Sequence, residues 1–328
     1  MKAKKFFTLV LLALFAVGAS CAWGDETVEI NSDNFPDKVF RQFVLDELDD
    51  GSGSATKGDG ILSDSELQRL QISISRWKYS GIESLEGIKY FTRLQTLYCT
   101  GQKLTALNVS GLTSLSTLDC SNNTDMTYLN VSGCTSLRYL DCSGNNIKGL
   151  DLTGLALGTL DCSNNSEINL TIPTIESIRE TGNPANYTGM SVLRIAGTPY
   201  ASGAELTTKI LGSALTQLDC SEIVGGGPTK VDLSEAIYVT NINVSNNPNL
   251  KAIEWESGNG QYLGNVGKVD ISGTGIGAQY TLDTLKAGGD GTYLSTFKAD
   301  SMDYALTEID FTKISRKALD FSRRDIRL

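Results

Sequence analysis

Apolar residues recur along this chain in one frame, Leu-x-x-Leu-x-Cys, with an amide residue three positions after the cysteine. The clearest copies are Leu94/Leu97/Cys99/Gln102, Leu115/Leu118/Cys120/Asn123, Leu137/Leu140/Cys142/Asn145 and Leu157/Leu160/Cys162/Asn165. The Leu-x-Cys alternation predicts a short strand with its apolar side inward. Steps of 21, 22 and 20 residues between the cysteines are a repeat period, and a fixed period of this size predicts a repeat solenoid. A unit of about 20 residues cannot bury its own apolar side, so units must stack and share one core. A second phrase in each unit, LNVSG or LDLTG, supplies Leu107/Val109, Leu129/Val131 and Leu150/Leu152 to the opposite side of that core. The repeats are regular to about residue 170. Beyond that they decay through Ile175/Ile178/Asn183, Met190/Leu193/Ile195, Leu215/Leu218/Cys220 and Val239/Ile242/Val244/Asn247. Val266/Val269/Ile271, Leu294/Phe297/Ala299, Leu306/Ile309/Phe311 and Leu319/Phe321 follow. Longer steps imply looped insertions, as at Gly225–Gly227 and Gly258–Gly267. No polar closing cap precedes Leu328, which suggests a truncated chain or a last unit that tolerates an exposed edge.

The expected organisation is a signal peptide at 1–22, a helical cap at 23–80 and the solenoid at 81–328. Lys2, Lys4 and Lys5 precede an apolar run from Phe6 to Val17 and small residues up to Ala22, the pattern of a secretory signal. Cleavage after Ala22 is one outcome; the other is a lipoprotein with Cys21 as its acylated first residue. No later stretch is apolar enough to span a bilayer. In the cap, Asn34-Phe35-Pro36-Asp37 predicts a helix start, and Val39, Phe40, Phe43, Val44 and Leu48 share one helical side. Ser63-Asp64-Ser65-Glu66 reads as a capping box opening a second short helix. Between them, Asp59, Gly60, Leu62, Ser63 and Glu66 fit the later positions of an EF-hand calcium loop. Ala55 and Lys57 occupy its first and third positions, which suits a degenerate loop, although Asp49 or Asp50 could supply the early ligand of an expanded one. Asp59, Ser63 and Glu66 are the candidate Ca2+ ligands, and no other cofactor is expected.

Composition removes whole classes of chemistry. Histidine is absent, which excludes Ser-His-Asp and Cys-His catalysis and histidine-ligated metals. The net charge is −10, or −13 once the three signal lysines are gone, so nucleic acid is a poor partner. Seven cysteines in an exported chain would ordinarily suggest disulfides, but five fall in the same inward slot of the repeat. Side chains stacked in parallel suit packing better than bridging.

The LDCSNN and LDLS phrases resemble those of exported bacterial leucine-rich-repeat proteins, and GIESLEGIKYFTRLQTL resembles the repeats of internalin-type surface proteins. That resemblance covers residue 81 onward and implies a curved parallel β-sheet with a convex side of short strands or irregular chain. It also implies that Asn123, Asn145 and Asn165 form a structural ladder, their amides bonded to backbone in neighbouring turns. On the concave face it places a column of Tyr98, Asp119, Asp141, Asp161 and, after a gap, Asp219, with Arg138 and Tyr139 alongside. Two readings of the aspartates stay open: solvated residues bonded to their own loops, or an acidic recognition stripe. The functional expectation is a non-catalytic exported binding or adhesion protein, secreted or held at the cell envelope, with a protein or glycan ligand on the concave face. The alternative is a structural envelope component self-associating through its C-terminal repeat edge.

Overall fold

The structure, a computed structural model, describes residues 27–52, 57–182, 184–254, 267–276 and 296–298. The signal segment with Cys21, Ala55, Asn183, most of the Gly258–Gly267 insertion and the frames from Leu306 onward lie outside the described residues.

The repeat phrase becomes a ten-stranded parallel sheet. Its strands run in order Gln71–Ser73, Thr96–Tyr98, Thr117–Asp119, Tyr139–Asp141, Thr159–Asp161, Val192–Arg194, Gln217–Asp219, Asn241–Asn243, Lys268–Asp270 and Thr296–Lys298. Pairing is in register throughout, so Leu97, Leu118, Leu140, Leu160, Leu193, Leu218, Ile242 and Val269 form one buried inward row. The next inward slot holds Cys99, Cys120, Cys142 and Cys162, then Ile195, Cys220, Val244 and Ile271, all completely buried. This is the solenoid that the 20-residue period predicts. The second phrase forms short parallel strands across the same core: Ala106–Asn108 with Tyr128–Asn130, Gly149–Asp151 with Asn169–Thr171, and Glu205–Leu206 with Lys230–Asp232 and Ala252–Glu254.

Both corners of a turn use one local device. After the sheet strand, the Asp or Asn side chain accepts the N–H of the serine two residues on, as Asp119 does from Ser121 and Asn243 from Ser245. After the second strand, Asn108 does the same with Ser110, Asn130 with Ser132 and Asp151 with Thr153. An Asx turn ends each strand and redirects the chain, which is why D-C-S and N-V-S recur. The buried asparagines then join successive turns. Asn123 Nδ2 donates to the carbonyls of Cys99, Cys120 and Ser121, and its Oδ1 accepts Leu104 N–H. Asn145 and Asn165 repeat the pattern, and Asn247 continues it on Cys220 and Val244. Thr198 and Thr274 take the slot elsewhere, each donating to the carbonyl three residues back.

One decayed frame is not a repeat. Ile175 and Ile178 lie in a helix, Ile175–Glu180, and the sheet passes directly from Thr159–Asp161 to Val192–Arg194. Thr174 caps that helix through Ser177 N–H, so the isoleucine spacing fits a helical face as well as a strand frame.

The cap is not a separate body. Its Gln71–Ser73 strand is the first of the main sheet, and its apolar residues belong to the same core. Asp37 caps the Lys38–Phe43 helix through Oδ1, while its Oδ2 accepts the N–H groups of Glu83 and Ser84 in the first repeat. Phe40, Phe43, Val44 and Leu48 are buried as expected, and Val39 is partly buried against them. Asp37→Ala is expected to destabilise the chain by about 1–2 kcal/mol, because a helix cap and two inter-element bonds go together. Denaturant melts compared with an exposed control substitution such as Asp33→Ala would measure it.

Candidate functional site

Register pairing fixes what the solvent face of the sheet displays. Tyr98, Asp119, Asp141 and Asp161 stand in consecutive positions, as the repeat frame places them. The next position holds Arg194, then come Asp219, Asn243 and Asp270. Sequence reading left a gap before Asp219, yet the frame Met190/Leu193/Ile195 already puts Arg194 between two inward residues. The signal was there, masked by the helical insertion that lengthens this step.

Each aspartate of the row is held by its turn. Asp119 Oδ1 accepts both the N–H and the hydroxyl of Ser121, at 3.0 and 2.7 Å. Ser143 does the same for Asp141, Ser163 for Asp161 and Ser221 for Asp219. One oxygen is thereby committed, while Oδ2 of Asp119 and of Asp141 accepts no hydrogen bond among the described residues. Asp161 Oδ2 faces Arg194 Nη1 at 3.7 Å, and Arg194 Nη2 is tied to Gln217 Oε1 at 2.9 Å. Arg138 stands apart: it precedes its strand, and Nη1 folds onto the carbonyls of Thr135 and Leu137. Tyr98 and Tyr139 are each more than a third exposed.

Electrostatics single out the middle of the row. Burial raises the Asp141 carboxyl above the ordinary carboxylate range, with Asp161 and Asp119 adding to the effect and the Ser143 bonds opposing it. Burial also raises Tyr139, helped by the same aspartates. Parallel strands stand about 4.8 Å apart, so two like neighbours cost on the order of 1 kcal/mol even with water-like screening. Asp141→Asn should therefore stabilise the chain by about 1 kcal/mol near neutral pH, since an asparagine makes the identical turn at Asn243. The sign follows from the raised pKa: the folded chain holds this proton more tightly, so stability falls as pH rises from the ordinary carboxylate pKa through the raised one. Melts of both proteins should converge below that window and separate above it; constant separation would refute the assignment.

The candidate calcium ligands serve the cap. Ser63 and Glu66 form the capping box of the Asp64–Leu67 helix, and Glu66 Oε1 also accepts Gly51 N–H. Asp59 is exposed and accepts Ile61 N–H. The buried carboxylate of Asp49 closes the loop through the N–H groups of Gly58 and Gly60. Among the described residues no three acidic or cysteine side chains converge as metal ligands. The thiols form no other site: the six described cysteines are free and buried, and burial pushes Cys134 up to about 11 and the others higher still. Among the described residues, no helix is long and apolar enough to cross a membrane.

The fold defined by these features is a parallel β-solenoid of the leucine-rich-repeat kind with a polar sheet face. No family model matches the chain, and no curated protein matches its sequence. Among solved structures it is similar to the functional domain of InlJ from Listeria monocytogenes, described as including a cysteine ladder. That match has 18% identity and a TM-score of 0.37, covering 88% of this chain and 74% of the other. It is similar to an internalin, InlF, from a Listeria monocytogenes strain at 16% identity and TM-score 0.36, covering 93% of this chain and all of that one. Internalin C2 of the same strain matches at 16% identity and TM-score 0.37, over 79% of this chain and 92% of that one.

Proposed function

We propose that this chain is an exported, non-catalytic recognition protein whose sheet face engages a protein partner through basic side chains. The observation that carries this reading is the row Asp119, Asp141, Asp161. Each carboxylate is locked by its serine, and two of the three keep an oxygen that accepts no bond among the described residues. A row fixed before binding loses little freedom on binding, and like charges held side by side favour a cationic ligand that relieves them. Tyr98 and Tyr139 beside it supply the aromatic area that anchors interfaces. Arg194 shows the chemistry within the molecule, a guanidinium set against the outermost carboxylate of the row.

The test is affinity capture by the chain lacking residues 1–22, beside a triple variant with Asp119, Asp141 and Asp161 changed to Lys. Partner capture should be lost in the variant and weaken steeply with salt in the parent chain. Undiminished capture by the variant would remove the row from recognition.

A further inference from the structure

The same face changes character beyond Arg194, and a cavity of about 280 Å³ opens there. Asn241 and Asn243 line it between Arg194, Gln217 and Asp219 on one side and Lys268 and Asp270 on the other. Among the described lining residues Arg194 and Lys268 balance Asp219 and Asp270, where the neighbouring row carries three acids. Its apolar lining residues, Leu218, Ile242 and Val269, are strand centres only 2% exposed, so they offer little area of their own to a peptide side chain. An anionic ligand meets two carboxylates and a chain of net charge −10; a cationic one meets Arg194 and Lys268.

What remains is a neutral ligand that both donates and accepts. Hydroxyl groups do this, and the cavity matches them with fixed partners of both kinds. Asn243 Oδ1 accepts the N–H and hydroxyl of Ser245, so Nδ2 is its remaining group and can only donate. Asp219 Oδ1 is committed to Ser221 in the same way, which leaves Oδ2 to accept. Arg194 is held by Gln217, and Lys268 is exposed with no ion-pair partner among the described residues. We infer that this cavity is a binding site for one ring of a neutral saccharide, resting on the reading of this face as the recognition surface. Asn243 and Lys268 donate to sugar hydroxyls and Asp219 accepts from them.

The full chain would be titrated with neutral hexose and N-acetylhexosamine tetrasaccharides and with a hexuronate tetrasaccharide, read by saturation-transfer NMR and calorimetry. A neutral tetrasaccharide should bind saturably and the hexuronate should not. Asn243→Asp keeps the serine turn that Asp219 already makes but loses the donor, and should weaken binding by about tenfold or more. Lys268→Gln, an exposed change, should weaken it by a smaller factor. Failure of every neutral sugar to saturate, equal binding of the hexuronate, or unchanged affinity in a folded Asn243→Asp chain would overturn the inference. A double variant with Asp119 and Asp141 changed to Lys, which leaves Asp161 and its partner Arg194 in place, should lose the protein partner and still bind the sugar, so the two readings fail separately.

Discussion

Asn123→Ala should lower the unfolding free energy by about 3–4 kcal/mol, among the largest single losses expected in this chain. The side chain is completely buried. Its removal orphans the carbonyl of Cys99 and the N–H of Leu104, on either side of the bend, and takes a donor from the carbonyls of Cys120 and Ser121, which keep Asn145, and Gly101 with Thr100, respectively. A hydrogen bond gained in folding is worth about 1 kcal/mol net, but a buried polar group left unpaired costs about 1–3 kcal/mol. Two orphans together with two lost bonds are therefore worse than one lost bond. The structure supplies its own control, because Thr198 and Thr274 occupy this slot, each donating to the carbonyl three residues back. Asn123→Thr should recover part of the loss. Denaturant melts and amide exchange at Leu104 would measure both; an alanine variant within about 1 kcal/mol of the parent would show that the ladder does not join the turns.

Gly87→Ala should cost about 2–4 kcal/mol and loosen the cap from the first repeat. Gly87 sits at φ +106°, a conformation that favours glycine. A Cβ there would lie 2.4 Å from the Phe35 ring and 2.6 Å from the Asn34 carbonyl oxygen. Phe35 is completely buried and packs on Phe40 and Tyr90, so the ring has nowhere to move. Limited proteolysis should cut the variant first within residues 27–70, leaving the later repeats protected. Cleavage spread evenly along the chain would mean that cap and repeats unfold as one.

The regular repeats were readable because every physical requirement recurs in the same phrase. Leucines meet the core, the aspartate and serine build the turn, and the asparagine satisfies the bend. The inward thiols and the second apolar phrase follow from the same pattern, and the capping box at Ser63 and Glu66 was legible from its own three-residue spacing. Reading weakened where one requirement could be met in two ways. Isoleucines at 175 and 178 suit a helix as readily as a strand, and a threonine can stand for the ladder amide at 198. The role of Asp37 and Asp49 was hidden for a different reason. A carboxylate that collects N–H groups from segments distant in sequence leaves no periodic trace. Arg194 belongs to the first kind of failure: its frame was seen, but its place among the aspartates depends on which strand pairs with which.

The stacked free thiols make the molecule its own unfolding meter. A thiol that burial keeps protonated is inert to alkylating reagents while its coil stays closed. Because successive coils carry an inward sulfur at 99, 120, 142 and 162, with Cys134 as a second one between 120 and 142, mass-spectrometric labelling at rising denaturant would report, coil by coil, where the stack first opens.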